Sequence, residues 1–192
     1  MIGVMVKRNA VVGLAIAGVA IWAPLMAQQA PRNIGPQKLA PFVTSPQPII
    51  DRMLEIANLK GGETLYDLGC GDGRILVSAV KKFGAKAVGI EVSEQLVRRA
   101  NQNIHSQGID DQAKVIQGDM MSVDVGGAQV VSLYLLTEAN DLLKPKLEKE
   151  LKPGARVVSL DFKVRGWKPA RVEKIEAHHR PYTVYLYEMP QR

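Results

Sequence analysis

From residue 49 onward, apolar positions alternate between a helical period and short continuous runs. Ile49, Ile50, Met53, Leu54 and Ala57 fall on one helical face and predict a helix over 48–58, ended by Gly61–Gly62. Thr64–Leu68 is a short apolar strand. Ile75, Leu76, Ala79, Val80 and Phe83 predict a second helix that stops at Gly84. Ala87–Glu91 is the next strand. Ser93 is an expected N-cap for a helix carrying Leu96, Val97, Ala100 and Ile104, closed by Gly108. Strands follow at Ala113–Gln117 and Ala128–Leu135. Pro145 is expected to open a helix to about Leu151, before a fifth strand over Ala155–Leu160. Arg171–Ala177 and Thr183–Glu188 read as a closing antiparallel pair around a solvated His178–His179 hairpin. Strands alternating with helices predict an α/β fold: a doubly wound, mostly parallel, seven-stranded sheet of Rossmann-like type. Ligands of such sheets bind at the carboxyl ends of the strands, near the switch point.

The amino-terminal stretch follows a different pattern. Residues 10–27 run for 18 positions without a charge, behind Lys7 and Arg8 and ahead of Gln28 and Gln29. That layout predicts an N-terminal hydrophobic helix over 1–27, serving as a signal peptide or a membrane anchor. Pro31, Gly35, Pro36, Pro41, Ser45, Pro46 and Pro48 then mark a linker and lead-in over 28–47, and the folded domain spans 48–192. Membrane association through the first segment is therefore expected, with export after cleavage as the alternative.

Composition narrows the classes further. The 192 residues are enough for one domain with a sizeable core. Of the 25 basic residues, 23 remain against 19 acidic ones once Lys7 and Arg8 are set aside. This mild excess lacks the clustered basic stripe of a nucleic-acid binder, so no nucleic-acid partner is expected. Cys70, His105, His178 and His179 do not have zinc-ligand spacing, so no metal site is expected either. Lys163, Arg165, Lys168, Arg171 and Lys174 surround Trp167, a pattern that could meet lipid headgroups or a membrane-embedded substrate, although such a stretch is more often a solvated loop.

The candidate chemistry lies at the strand ends. Asp67-Leu68-Gly69-Cys70-Gly71-Asp72-Gly73 leaves the first strand and enters a helix. A dinucleotide fingerprint would need a glycine where Arg74 stands. The G-x-G-x-G spacing behind an acid is instead that of S-adenosylmethionine (SAM) binding, where Asp67 can face the ammonium of the amino-acid portion. Glu91 ends the second strand and can accept both hydroxyls of a ribose. Gly118-Asp119-Met120 follows the third, where Asp119 can accept from the adenine amino group and Met120 or Val92 can pack on the ring.

These residues resemble the class I SAM-dependent methyltransferases. Pro41-Phe42-Val43-Thr44-Ser45-Pro46, DLGCGDGRI, VVSLYLL and SLDF narrow the resemblance. They are similar to a small family of mitochondrial lysine methyltransferases, acting on the ATP synthase c-subunit and the adenine nucleotide translocase, with its bacterial relatives. The likeness runs from about Pro41 to Glu188. It implies SAM as cofactor, with contacts from Asp67, Gly69, Cys70, Gly71, Glu91, Val92, Asp119 and Met120, and with Thr44 and Ser45 in a lead-in folded over it. It implies transfer to a lysine ε-amine of a protein, with a membrane protein among the candidates. Tyr134, at the end of strand four, is the leading acceptor-side candidate, followed by Asp161 and Asn140. The absence of an Asn/Asp-Pro-Pro-Tyr motif after strand four argues against amide or nucleobase acceptors. Two other readings remain: a small-molecule methyltransferase, and an exported, non-catalytic domain that keeps the fold. Export would conflict with a cofactor made and kept in the cytoplasm.

Overall fold

The computed structural model describes residues 44–191. Their elements are α1 (Gln47–Ile56), β1 (Thr64–Leu68), α2 (Arg74–Phe83), β2 (Lys86–Glu91), α3 (Glu94–Ser106), β3 (Ala113–Gln117), β4 (Val130–Leu133), α4 (Thr137–Glu150), β5 (Arg156–Leu160), β6 (Arg171–Ala177) and β7 (Arg180–Glu188). The seven strands form one sheet in the order β3-β2-β1-β4-β5-β7-β6. β1 to β5 run parallel, and β7 is inserted antiparallel between β5 and β6. This is the mostly parallel, Rossmann-like sheet that the alternation predicts. The order reverses at β1, which pairs with β2 on one side and β4 on the other, so the switch point lies between β1 and β4.

Local chemistry sets the element ends. The Ser93 hydroxyl caps α3 by accepting from the Leu96 amide at 3.5 Å. Gly84, at φ 65°, takes the left-handed turn that stops α2. Strand alternation then sorts the core into two layers. One packs Ile49, Ile50, Met53 and Leu54 of α1 and Leu76 and Ala79 of α2 over Leu65, Val158 and Leu160. The other packs Leu143 and Leu147 of α4 against Leu68, Val131, Leu133 and Val157.

Three expectations change. The fourth helix does not start at Pro145 but at Thr137, with Pro145 exposed in its interior. An internal proline forfeits a helix hydrogen bond, at about 3 kcal/mol. Ala139, Leu143 and Leu147, spaced four apart, bury one face against the sheet and outweigh that cost. Trp167 is not a lipid-facing residue: it is 6% exposed, its indole N–H donates to Glu148 at 2.8 Å, and its ring meets Tyr187 edge-on at 5.3 Å. It closes the core beneath the loop that the neighbouring basic residues solvate.

Membrane association does not stand as an expectation. Among the described residues no helix is long and apolar enough to cross a membrane, the longest being α4 with 14 residues. The signal peptide or anchor, and with it the N-terminal hydrophobic helix, was inferred from residues 10–27, which lie outside the described residues.

Candidate active site

Parallel pairing in register puts Asp67 of β1 beside Gly89 of β2 and Ser132 of β4. Asp67 is 3% exposed, and its Oδ1 accepts from the Ser132 hydroxyl at 2.7 Å. Among the described residues its Oδ2 finds no hydrogen-bond partner. Burial pushes the carboxyl up to about 7; the Ser132 hydrogen bond works the other way, and the charges of Glu91 and Asp72 add to the rise. A buried carboxylate oxygen without a donor is costly, and a bound ammonium would satisfy it.

The loop after β1 is shaped by its glycines and by Glu91. Gly69, Gly71 and Gly73 all have positive φ, and a side chain on Gly69 would press on Leu135 at 3.3 Å. The amides of Gly69 and Cys70 donate to the Ile90 carbonyl at 2.8 and 3.0 Å, holding the turn against the end of β2. Glu91 Oε2 accepts from the Gly71 amide at 3.0 Å and Oε1 from the Ser93 amide at 2.9 Å. Each oxygen keeps lone-pair capacity for a hydroxyl, as a ribose diol needs. Cys70 is buried, and burial pushes its thiol well above the ordinary range, so it lines the loop as an apolar group.

Three contributors were not legible as site residues. Gly89 is one: a Cβ there would meet Cys70 Sγ at 2.5 Å and Leu76 Cδ1 at 2.7 Å, so its lack of a side chain lets the loop sit on the strand. A glycine inside a strand is the signal for such an approach. Ser132, fully buried, is the second. Arg74 is the third. It grips the Asp72 carboxylate through Nε (2.9 Å) and a second nitrogen (2.7 Å), and donates to the Ser45 carbonyl at 3.1 Å. The arginine holds Asp72 below the usual carboxylate range despite its partial burial. Arg74 thereby clasps the lead-in to the loop, with Ser45 buried and Thr44 exposed beside it.

At the third strand end, Asp119 is partly exposed and its Oδ1 accepts from the Met121 amide at 2.9 Å. Met120 is buried and reaches toward Gly69, while Val92 is partly exposed next to Glu91. The predicted cofactor residues thus gather at the carboxyl ends of β1, β2 and β3.

The acceptor-side candidates divide between the two faces. Tyr134 packs on the α1–α2 layer, the same face as Ser132 two residues before it, and its ring lies 6.3 Å from that of Phe162. Burial pushes the Tyr134 hydroxyl above its ordinary range, keeping it protonated. Asp161 follows β5 with φ 60°. Asn140 lies on the other face, fully buried on α4, where its amide N–H donates to the Phe162 carbonyl at 3.0 Å and to Ser159 at 3.4 Å. It braces the turn that carries Asp161 and does not reach Tyr134's face.

Comparison with known proteins bears directly on this arrangement. The model of the ANTKMT methyltransferase domain matches residues 67–171, from the buried acid through β4 and β5 to the start of β6. The chain belongs to this family. A relative named protein-lysine N-methyltransferase, from Saccharolobus islandicus, is 49% identical over 77% of this chain and 92% of its own length. The adenine nucleotide translocase lysine N-methyltransferase of Mus musculus is 30% identical over 89% of this chain and 74% of its own. Among solved structures, an RNA methyltransferase from Salinibacter ruber in complex with S-adenosyl-L-homocysteine is 42% identical, covers 78% of this chain and 95% of that one, and superposes with a TM-score of 0.74. This ANTKMT-family chain is therefore a SAM-dependent methyltransferase. The unpartnered Asp67 oxygen and the diol-ready Glu91 fit that cofactor.

Proposed function

We propose that this methyltransferase transfers methyl groups to lysine ε-amines of a protein, with Asp67, Glu91 and Asp119 holding the cofactor and Tyr134 and Asp161 receiving the amine. The observation that carries the reading is the acidic and aromatic make-up of the edge beside the cofactor loop. Tyr134, Phe162 and Asp161 suit a cationic side chain, and Asp161 already pairs with one, Arg180. The names of the archaeal and murine relatives support it.

Bound SAM supplies an activated methyl: the amine lone pair forms the N–C bond as the C–S pair returns to sulfur. The protein's own task is alignment and desolvation. Asp67 would meet the cofactor's ammonium with its free oxygen, while Ser132 fixes the other. Glu91 would accept from the ribose hydroxyls and Asp119 from the adenine amine, with Val92 and Met120 available to pack on the ring and Gly69, Cys70 and Gly71 shaping the loop. Thr44 and Ser45, clasped by Arg74, cover the site. A lysine ammonium, with an ordinary pKa of about 10.4, must shed a proton before it can attack. Burial among aromatic walls beside a sulfonium disfavours its charged form and releases that proton to solvent. Tyr134, protonated, orients the resulting lone pair, and Asn140 positions the Asp161 turn from behind.

Methyl-labelled SAM and candidate protein substrates test this. After acid hydrolysis, label should appear in methylated lysine, and Tyr134→Phe should lower kcat about a hundredfold with cofactor affinity unchanged. Label found in RNA instead, as the name of the Salinibacter ruber structure would suggest, or in no macromolecule despite tight SAM binding, would overturn the lysine reading.

A further inference from the structure

The turn after β5 holds a cation already. Asp161 is locked from its own backbone outward: its N–H donates to the Thr183 carbonyl at 2.7 Å, and its Oδ1 accepts from the Thr183 amide at 2.9 Å. Its Oδ2 is left for Arg180, at 2.7 Å. The same guanidinium lies 4.5 Å from the centre of the Tyr182 ring and faces the Tyr134 hydroxyl. One carboxylate and two tyrosines therefore surround a positive charge, a seat of the kind that recognises ammonium groups.

Host and occupant differ in how they are held. The Asp161 side chain is 13% exposed, and that of Arg180 is 52% exposed. Arg180 begins β7 immediately after a two-residue turn, His178–His179, with both φ values positive, so its side chain springs from the tip of a hairpin. An ion pair with so exposed a partner contributes little, so exchanging the occupant is cheap. Emptying the seat is not, because it would leave a mostly buried carboxylate unpaired.

We infer that the Asp161–Tyr134–Tyr182 seat is the docking site for the acceptor's alkylammonium and that Arg180 is a resident cation which the incoming side chain displaces. This rests on the lysine reading above and adds to it a competitor built into the chain. Arg180 acts as a selectivity gate. A lone amine must beat a tethered guanidinium, whereas a lysine presented on a docked protein brings further contacts to the exchange. Removing Arg180 should therefore tighten cation binding and relax discrimination against small amines.

The probe is n-butylammonium, a lysine side chain without its backbone, titrated into the full chain and followed by NMR of the tyrosine rings. Arg180→Ala is expected to bind it about three- to fivefold more tightly than the unsubstituted protein. Arg180→Gln, which keeps most of the length, should behave similarly, and adding Asp161→Asn to either should abolish the gain. In parallel, Arg180→Ala should lower the KM for a lysine-bearing substrate. Equal butylammonium affinity with and without Arg180, in proteins with unchanged spectra elsewhere, would overturn the inference. So would an Arg180→Ala gain that survives Asp161→Asn. Tighter butylammonium binding without methyl transfer to any lysine would leave the seat standing and remove the lysine reading, and normal lysine transfer with no change in cation binding would do the reverse.

Discussion

Asp67 works against the fold that holds it. Its folded carboxyl keeps a proton to about pH 7, whereas an unfolded one releases it near 4. The unliganded fold is therefore penalised progressively as pH rises from about 4 to 7, and in full above that. Asp67→Asn should raise the melting temperature of the unliganded protein at pH 8, removing a penalty on the order of 4 kcal/mol, while abolishing SAM binding in calorimetry. In the unsubstituted protein, an ammonium ligand favours the ionised acid. SAM affinity should fall as pH drops below about 7, approaching tenfold per pH unit. Gly89 makes the opposite kind of contribution, through what it lacks. Gly89→Ala forces a methyl into Cys70 and Leu76, so it should cost about 1–3 kcal/mol of stability, read by denaturant unfolding, and should weaken SAM binding because Cys70 belongs to the loop.

At the scale of elements, the sequence discloses the strand ends better than the links between them. The acids at 67, 91 and 119 were legible because each follows an apolar run and because three such ends together repeat one logic. Ser132 and Gly89 were not, since their nearness to Asp67 depends on strand register, which a single chain's periodicity leaves open. Arg74 was read only as the residue that breaks a dinucleotide motif, because its hold on Ser45 spans 29 positions. That hold has a measurable consequence. Arg74→Ala should leave the melting temperature nearly unchanged, speed proteolysis near residue 45, and weaken SAM binding about tenfold. Arg74→Lys should not restore binding, since a single ammonium cannot reproduce the two-pronged grip on Asp72. Helix α4 was misplaced for a related reason: proline is a strong local stop signal, and only the sheet beneath α4 makes an interior proline tolerable.

For the molecule as a whole, alternation of strand and helix was enough to reach the sheet, its parallel character and the edge where chemistry occurs. It could not show that both halves of the proposed acceptor seat come from one sheet neighbourhood, because Asp161 and Arg180 are brought together by the antiparallel pairing of β5 with β7. Nor could it distinguish a tryptophan in a basic loop that faces outward from one that plugs the core, as Trp167 does; that depends on Tyr187, twenty residues on, arriving beside it.

The position of β7 has a further consequence, for the order in which the fold can be completed. The last of the seven described strands in chain order, Arg180–Glu188, lies inside the sheet and not at its rim. Until it arrives, β5 presents an unpaired edge whose residues Val157–Leu160 are all destined for full burial. A nascent chain that has emerged only through β6 thus carries an open, apolar template for strand pairing with other chains. Synthesis and protection are coupled: the same closing hairpin that delivers Arg180 to the proposed acceptor edge also seals the strand most prone to misassembly.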